Sequence, residues 1–206
     1  RQFIQGVQVG ADMLNRMGNG GTLAFGAFGG YVNSDQDFTA TSSGVRSDVN
    51  AWQVGAYATY IDGPFFVDGM FKAEFLDGGF HLPGPPSVTA DISGTNIGVQ
   101  ANAGYRYDVT EHFFIEPVAT LSYVSTSIDT TSVLAATVDF DHANSLRGRL
   151  GTQFGANWMA GDTTIRPFGA VSYWHEFEDF NSITINSGGT SWSISDNLVD
   201  GWWQFG

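Results

Sequence analysis

Two clusters in the sequence carry side chains of the kind that move protons or hold metal ions. "DFDHA" brings Asp139, Asp141 and His142 together, and "WHEFED" does the same for His175, Glu176, Glu178 and Asp179. A carboxylate beside an imidazole can act as general acid and base or as part of a metal site. Neither cluster has ligand spacing, and acidic residues collect in exposed loops for solubility alone, so the structural reading outweighs the catalytic one. "GNGG" at 18–21 is a turn rather than a phosphate cradle, because no helix pattern and no Lys follow it. The third set is less ordinary. Arg147 and Arg149 lie in "SLRGRLGTQFGANWM", whose other positions read Leu146, Gly148, Leu150, Thr152, Phe154, Ala156 and Trp158. In a strand, successive side chains point to opposite faces, so one face is wet and charged and the other oily. What each face touches decides the function.

The rest of the chain supplies more strands of the same kind. Scored against a period of 2 rather than 3.6, segment after segment alternates. In "FFVDGMFKAEF", Phe65, Val67, Gly69, Phe71, Ala73 and Phe75 share one face, while Phe66, Asp68, Met70, Lys72 and Glu74 share the other. "NIGVQANAGYRY" sets Ile97, Val99, Ala101, Ala103, Tyr105 and Tyr107 against Asn96, Gly98, Gln100, Asn102, Gly104 and Arg106. "FFIEPVATLSYV" repeats the pattern with Glu116, Thr120 and Ser122 on its polar side, although Pro117 counts against a central strand because it removes a ladder donor. Noisier versions start at Gln5, Thr22, Ala51 and Ile165. The result is eight strands of about 11 residues, the length a tilted strand needs to cross a bilayer. Short connections, rich in Asn, Asp and Gly, fall near 15–21, 62–64, 108–112 and 160–164; long ones fall near 34–48, 77–94, 125–143 and 178–199. Short turns on one rim and long loops on the other are the layout of an outer-membrane barrel.

Composition narrows the partners. The 206 residues suit a single all-β domain spanning 1–206. With 8 basic and 21 acidic residues the net charge is -13, which argues against nucleic acid and against docking on an anionic lipid surface. There is no Cys, so no disulfide and no thiolate metal site is possible. No run approaches the length of a membrane helix and no segment resembles a signal peptide; Arg1 already lies in a patterned segment, so the true start is expected upstream.

Alternating strands fit either a soluble barrel or sandwich with an oily inside, or a membrane barrel with an oily outside. Tyr60, Phe65, Tyr105, Tyr107, Phe113, Tyr123, Trp158 and Tyr173 lie on the apolar parity near predicted strand ends, where an interfacial girdle belongs. The opposite parity is small and hydrogen-bonding, as a confined wet lumen would be. Its expected lining is Asp68, Lys72, Glu74, Gln100, Asn102, Arg106, Glu116, Arg147, Arg149, Gln153, Arg166 and Glu176. On a lipid face each arginine would cost about 2–4 kcal/mol near the midplane, so the arginines point inward. These charges serve either as a lattice that holds shape or as a polar track for a passing chain. No catalytic residue, cofactor or metal ligand is assigned.

Taken in order, "GVQVGADML", "FGAFGGY", "VGAYATY", "FFVDGMFKAEF", "AGYRY", "FFIEPVATLSY", "SLRGRLGTQFG" and "RPFGAVSYWHEF" resemble successive strands of the C-terminal translocator domain of bacterial autotransporters. The combination of "FIEP", "SLRGRLG" and "WHEF" is the most specific part, and the likeness covers nearly the whole chain. The resemblance implies an antiparallel up-and-down barrel of 12 strands in the outer membrane of a Gram-negative bacterium, with its long loops extracellular. It also implies a linker helix in the pore, an N-terminal passenger delivered to the surface, and outer-membrane lipid and the barrel-assembly machinery as partners. On this alignment "QGVQVGADML" matches the second strand and "GWWQFG" opens the tenth, so the first and last strands are expected outside this chain. A stand-alone outer-membrane porin or adhesin barrel is the alternative, and an outer-membrane hydrolase a weaker one.

Overall fold

In the computed structural model, the described residues are 2–18, 20–38, 44–84, 86–134, 136–140, 143–161, 163–178, 180–197 and 199–206. Every element among them is a strand. The long ones are β1 (Gln2–Arg16), β2 (Thr22–Phe38), β3 (Val45–Asp62), β4 (Phe65–Leu82), β5 (Val88–Tyr105), β7 (Phe113–Ile128) and β10 (Ala143–Ala156), with β13 (Phe168–Glu176) shorter. Between and beyond them lie β6 (Tyr107–Asp108), β8 (Thr131–Val133), β9 (Ala136–Phe140), β11 (Trp158–Ala160), β12 (Thr163–Ile165), β14 (Phe180–Ser187), β15 (Thr190–Asn197) and β16 (Gly201–Phe205). The main sheet is an antiparallel meander in the order β1-β2-β3-β4-β5-β7-β10-β13-β16, with β6 beside β7. Its neighbours follow chain order, as short hairpins require.

Register sorts the side chains into two faces. Phe71 lies across from Val99, Val99 from Tyr123, and Tyr123 from Leu146, so these share one face. Lys72 lies across from Gly55 and Gly98 on the other. Over residues 52–59 of β3 the exposed residues are Trp52, Val54, Ala56 and Ala58, and the partly covered ones Gln53, Gly55, Tyr57 and Thr59. Trp52 is 65% exposed, Phe75 53% and Leu150 71%. The oily face is thus the open one, the reverse of a water-soluble protein. Side chains on the inside of a curled sheet crowd together and those on the outside splay apart, which makes the Lys72 face the inner one.

The strands outrun the expected 11 residues, and the reason lies in the pattern. On β4 the Phe71 face is apolar from Phe65 to Phe75 and then reads Asp77, Gly79, His81, while the Lys72 face turns apolar at Leu76 and Phe80. The same exchange follows Tyr31 on β2 (Val32, Asn33), Trp52 on β3 (Ala51, Asn50, Val49), Ile97 on β5 (Thr95, Ile92, Asp91) and Tyr123 on β7 (Val124, Ser125). Hydrogen-bonded pairing continues across this line without a break. Below the line the open face is apolar; above it the open face is polar and Val45 and Ala90 are buried on the covered one. An apolar band of eleven residues on β4 fits a hydrocarbon layer crossed at a tilt. Much of what the sequence presents as long loops is therefore strand with its phase inverted. The remainder forms hairpins: β8–β9 and β14–β15 join in a four-stranded sheet of order β15-β14-β9-β8.

Two local expectations change. β7 is a central strand despite Pro117, because on its β5 side pairing stops at Gly104–Val118 and resumes with β6 at Tyr107–Ile115. The proline sits in this gap between the two stretches of pairing, where no ladder donor is needed. Trp158 does not continue β10; it opens the separate β11–β12 hairpin, paired with Ile165.

Candidate functional site

The chemistry of this wall is concentrated on its Lys72 face, and neighbouring strands bring those side chains together. Lys72 Nζ lies 2.9 Å from Glu74 Oε1. Asn96 Nδ2 donates to Glu74 Oε2 at 2.7 Å, and Thr126 Oγ1 donates to Asn96 Oδ1 at 3.2 Å, so three strands share one chain of polar contacts. Asn102 Nδ2 donates to Asp68 Oδ1 at 2.7 Å. Gln100 stands between Met70 and Ser122, and Glu116 faces Gln153 across β7 and β10.

Arg147 and Arg149 each have a defined setting. Arg147 Nε donates to Glu176 Oε2 at 2.8 Å. That carboxylate is the most heavily bonded side chain of the face: it also accepts from Ser145 Oγ at 2.7 Å and Leu146 N at 2.8 Å. Glu176 is buried at 5% exposure, a burial sustained by these charge-assisted bonds. The Arg149 guanidinium lies 5.4 Å over the Trp174 ring and that of Arg147 5.8 Å over Trp202, while the two indoles stack at 5.9 Å. Trp174 and Trp202 escape a reading that looks for aromatics on the oily parity. Their signal is parity itself: Trp174 is two residues before Glu176, and Trp202 pairs with Trp174.

Arg106 and Arg166 lie outside the strands, in the short connections. Arg106 Nε donates to Asp108 Oδ1 at 3.1 Å with its guanidinium 3.8 Å over Phe114, and with Gln153 and Arg166 it lines a polar pocket of 360 Å³. Expected as strand residues, they are rim residues instead, because Pro167 separates β12 from β13 and the chain steps aside at Arg106.

Aromatic rings on this face answer a further question. Phe28 lies over Gly55, Tyr57 over Gly26, Phe66 over Gly104 and Phe114 over Gly155, each pair spanning two strands. A ring laid flat on a glycine covers apolar backbone and leaves room for water above it. That is why a polar face carries Phe at all.

Among the described residues the acid and histidine clusters do not assemble into a site. Asp141, His142 and Asp179 fall outside the described residues. His175 is on the Phe71 parity, with its ring 4.7 Å from Phe177 and edge-on to it, and Asp139 accepts from Thr130 Oγ1 at 2.7 Å and Asn186 Nδ2 at 2.9 Å. Among the described residues no group of His, Asp or Glu is arranged to hold a metal ion.

Comparison with known proteins agrees with this geometry. The profile of the family described as Autotransporter beta-domain matches residues 1–206. The pertactin autotransporter of Bordetella parapertussis is 29% identical over 192 residues, 90% of this chain and 20% of the relative. The BrkA autotransporter of Bordetella pertussis is 26% identical over 192 residues, 90% of this chain and 18% of the relative. The chain therefore spans about a fifth of the length of these relatives. Among solved structures, the β domain of the Bordetella autotransporter BrkA superposes with a TM-score of 0.66 at 22% identity, covering 99% of this chain and 88% of that one. The translocator domain of the autotransporter NalP from Neisseria meningitidis gives 0.61 at 10% identity, covering 99% and 79%.

Proposed function

The chain belongs to the autotransporter β-domain family, and on that premise we propose that it forms part of the wall of an outer-membrane pore through which the same protein's passenger reaches the cell surface. One observation carries this reading: the inverted exposure of the main sheet, oily side chains open and bonded polar ones covered, with the inversion ending along one line across β2–β7. In this reading Asp68, Lys72, Glu74, Gln100, Asn102, Arg147, Arg149, Gln153 and Glu176 line the lumen, with Glu116 beside them and Arg106 and Arg166 at its mouth. Most of their charges are matched by neighbours, so the wall offers polar contacts to a passing or resident segment without binding it tightly. The partners that follow are outer-membrane lipid, the passenger with its linker, and the barrel-assembly machinery. The rim carrying the β8–β9 and β14–β15 hairpins faces the cell exterior.

Among the described residues β1 pairs only with β2, and β16 only with β13. Bare sheet edges in hydrocarbon leave backbone groups unpaired at several kcal/mol each. The pore is closed by further strands of the same protein, and a wall of this kind needs no catalytic group. The full-length protein, expressed in a Gram-negative host, tests the reading by surface proteolysis: the passenger is cleaved in intact cells when residues 1–206 are present and protected when they are deleted. Passenger display that survives the deletion refutes it.

A further inference from the structure

A groove of 790 Å³ lies on the Phe71 face, across the line where that face turns from apolar to polar. Its floor is Val9, Gly29 and Val54, side by side on β1, β2 and β3, and Tyr31 and Trp52 wall it with ring centroids 4.9 Å apart. Gly29 makes the dent. A Cβ there would meet only the Gln53 carbonyl oxygen, at 3.6 Å, so nothing in the packing forbids a side chain. Glycine in a strand interior costs stability, yet here the space it frees is left open.

The polar end of the groove points up the strands, away from the short turns. In the orientation proposed above that end faces the cell exterior, so its occupant belongs to the outward leaflet, whose lipid is a saccharide bearing several acyl chains rather than a glycerophospholipid. The groups at that end suit a saccharide. Asn50 Oδ1 accepts from Tyr31 Oη at 2.6 Å and from Asn33 Nδ2 at 3.1 Å, which leaves the Asn50 amide nitrogen as a spare donor. Asp77 sits directly across from Asn50, exposed, and no side chain among the described residues bonds its carboxylate. An amide donor beside a carboxylate acceptor matches sugar hydroxyls, which both donate and accept. The rings below them suit the apolar face of a sugar and the start of an acyl chain. No lysine or arginine lines the groove, so it selects on hydroxyl and acyl chain, not on phosphate.

We propose that this groove is a binding site for the acylated saccharide lipid of the outward leaflet, one acyl chain lying over Gly29 and a sugar hydroxyl between Asn50 and Asp77. The site rests on the reading that the Phe71 face touches lipid with the hairpin-bearing rim outward. The full-length protein is purified, stripped of lipid in detergent and offered rough lipopolysaccharide and phosphatidylglycerol in equal amounts, and the lipid it retains is measured by mass spectrometry. The parent retains lipopolysaccharide in preference. Gly29→Leu fills the slot and lowers that retention about tenfold, with folding checked by heat-modifiable migration. Asp77→Ala leaves the slot intact and removes the hydroxyl acceptor, so it too lowers retention, by about tenfold. The direction at Asp77 is the sharper test, because a lipid held through its phosphates would bind better once a carboxylate is gone. A parent that prefers phosphatidylglycerol, unchanged retention in Gly29→Leu, or unchanged or raised retention in Asp77→Ala overturns the proposal. A parallel single cysteine separates the two readings: Leu150→Cys must react with a membrane-soluble reagent. If it does while both variants retain lipid as the parent does, the groove fails and the pore stands; if it does not, the lipid-facing assignment falls and the groove with it.

Discussion

Ala101 and Gln100 are neighbours on β5 that point to opposite faces, and exchanging each for arginine should give opposite results. Ala101 lies across from Gly69 and Leu121, at the centre of the apolar stretch that runs from Ile97 to Tyr105. Because alanine contributes little packing, Ala101→Arg isolates the cost of putting a guanidinium against hydrocarbon, about 2–4 kcal/mol at the midplane. That corresponds to a loss of about 30- to 1000-fold in the folding equilibrium. Gln100 stands on the polar face, with Asn102 next on that face and Ser122 across, so Gln100→Arg exchanges one hydrated group for another and costs about 0.5 kcal/mol or less. The assay is denaturant-dependent refolding of the full-length protein into lipid vesicles, read by heat-modifiable migration. Equal penalties, or a larger one at Gln100, would refute the assignment of the two faces and favour a soluble barrel with an oily interior.

Other tests address the remaining features. Gly104→Ala should cost about 1–3 kcal/mol, because the new methyl meets the Phe66 ring; Phe66→Ala in the same protein should restore part of the loss, and strict additivity in the double-mutant cycle would deny the coupling. Glu176→Gln should weaken the sheet there by about 1.5–3 kcal/mol, as bonds from Ser145, Leu146 and Arg147 to a charged acceptor are exchanged for weaker ones; amide exchange at Leu146 should quicken, and unchanged protection there speaks against the Leu146–Glu176 bond. Cysteines at Leu150 and Phe154 should react with membrane-soluble reagents, and those at Arg147, Arg149 and Gln153 with small aqueous ones; equal labelling of both sets sinks the barrel. Residues 1–206 alone should refold poorly beside the full-length protein, since β1 and β16 each leave an edge unpaired; a stable, uniform, heat-modifiable short chain points to a smaller self-contained barrel.

Within the apolar band the sequence is easy to read, because one periodicity and one sign of polarity hold for the whole crossing. β4, β5 and β7 are legible from Phe65, Tyr105 and Phe113 onward for that reason. Above the band the same strands become hard to read. The period persists while the apolar parity changes, and over a few residues such as Phe75, Leu76 and Asp77 the two phases cancel into what looks like irregular loop. The expected strand ends mark the membrane boundary rather than the end of pairing. Arg106 and Arg166 elude the pattern for a different reason: parity counting assumes an unbroken strand, and Pro167 and the step at Arg106 break it. The pairings of Lys72 with Glu74 and Arg147 with Glu176 depend on strand order and register, which hydrophobic pattern alone does not supply between equivalent hairpins.

The phase exchange also explains how one sheet serves two solvents. A strand that kept its oily residues on the Phe71 face past Trp52 would expose them to water, and one that kept its polar residues on the Lys72 face would leave the upper sheet without a core. Asn33, Asn50 and Asp77 stand on the open face just where Tyr31, Trp52 and Phe75 end, and Tyr123 Oη donates to Asn144 Oδ1 at 3.1 Å along the same line. Tyrosine suits that position because its ring tolerates hydrocarbon while its hydroxyl needs a polar partner. The boundary is therefore fixed on the wall by matched pairs on β2–β3 and on β7–β10, and sliding the sheet along the membrane normal would strip hydroxyls and amides of water on one side or bare oily side chains on the other. A wall pinned in depth in this way holds its polar, ring-covered inner face at a fixed level, which is what the passage of a chain proposed above requires.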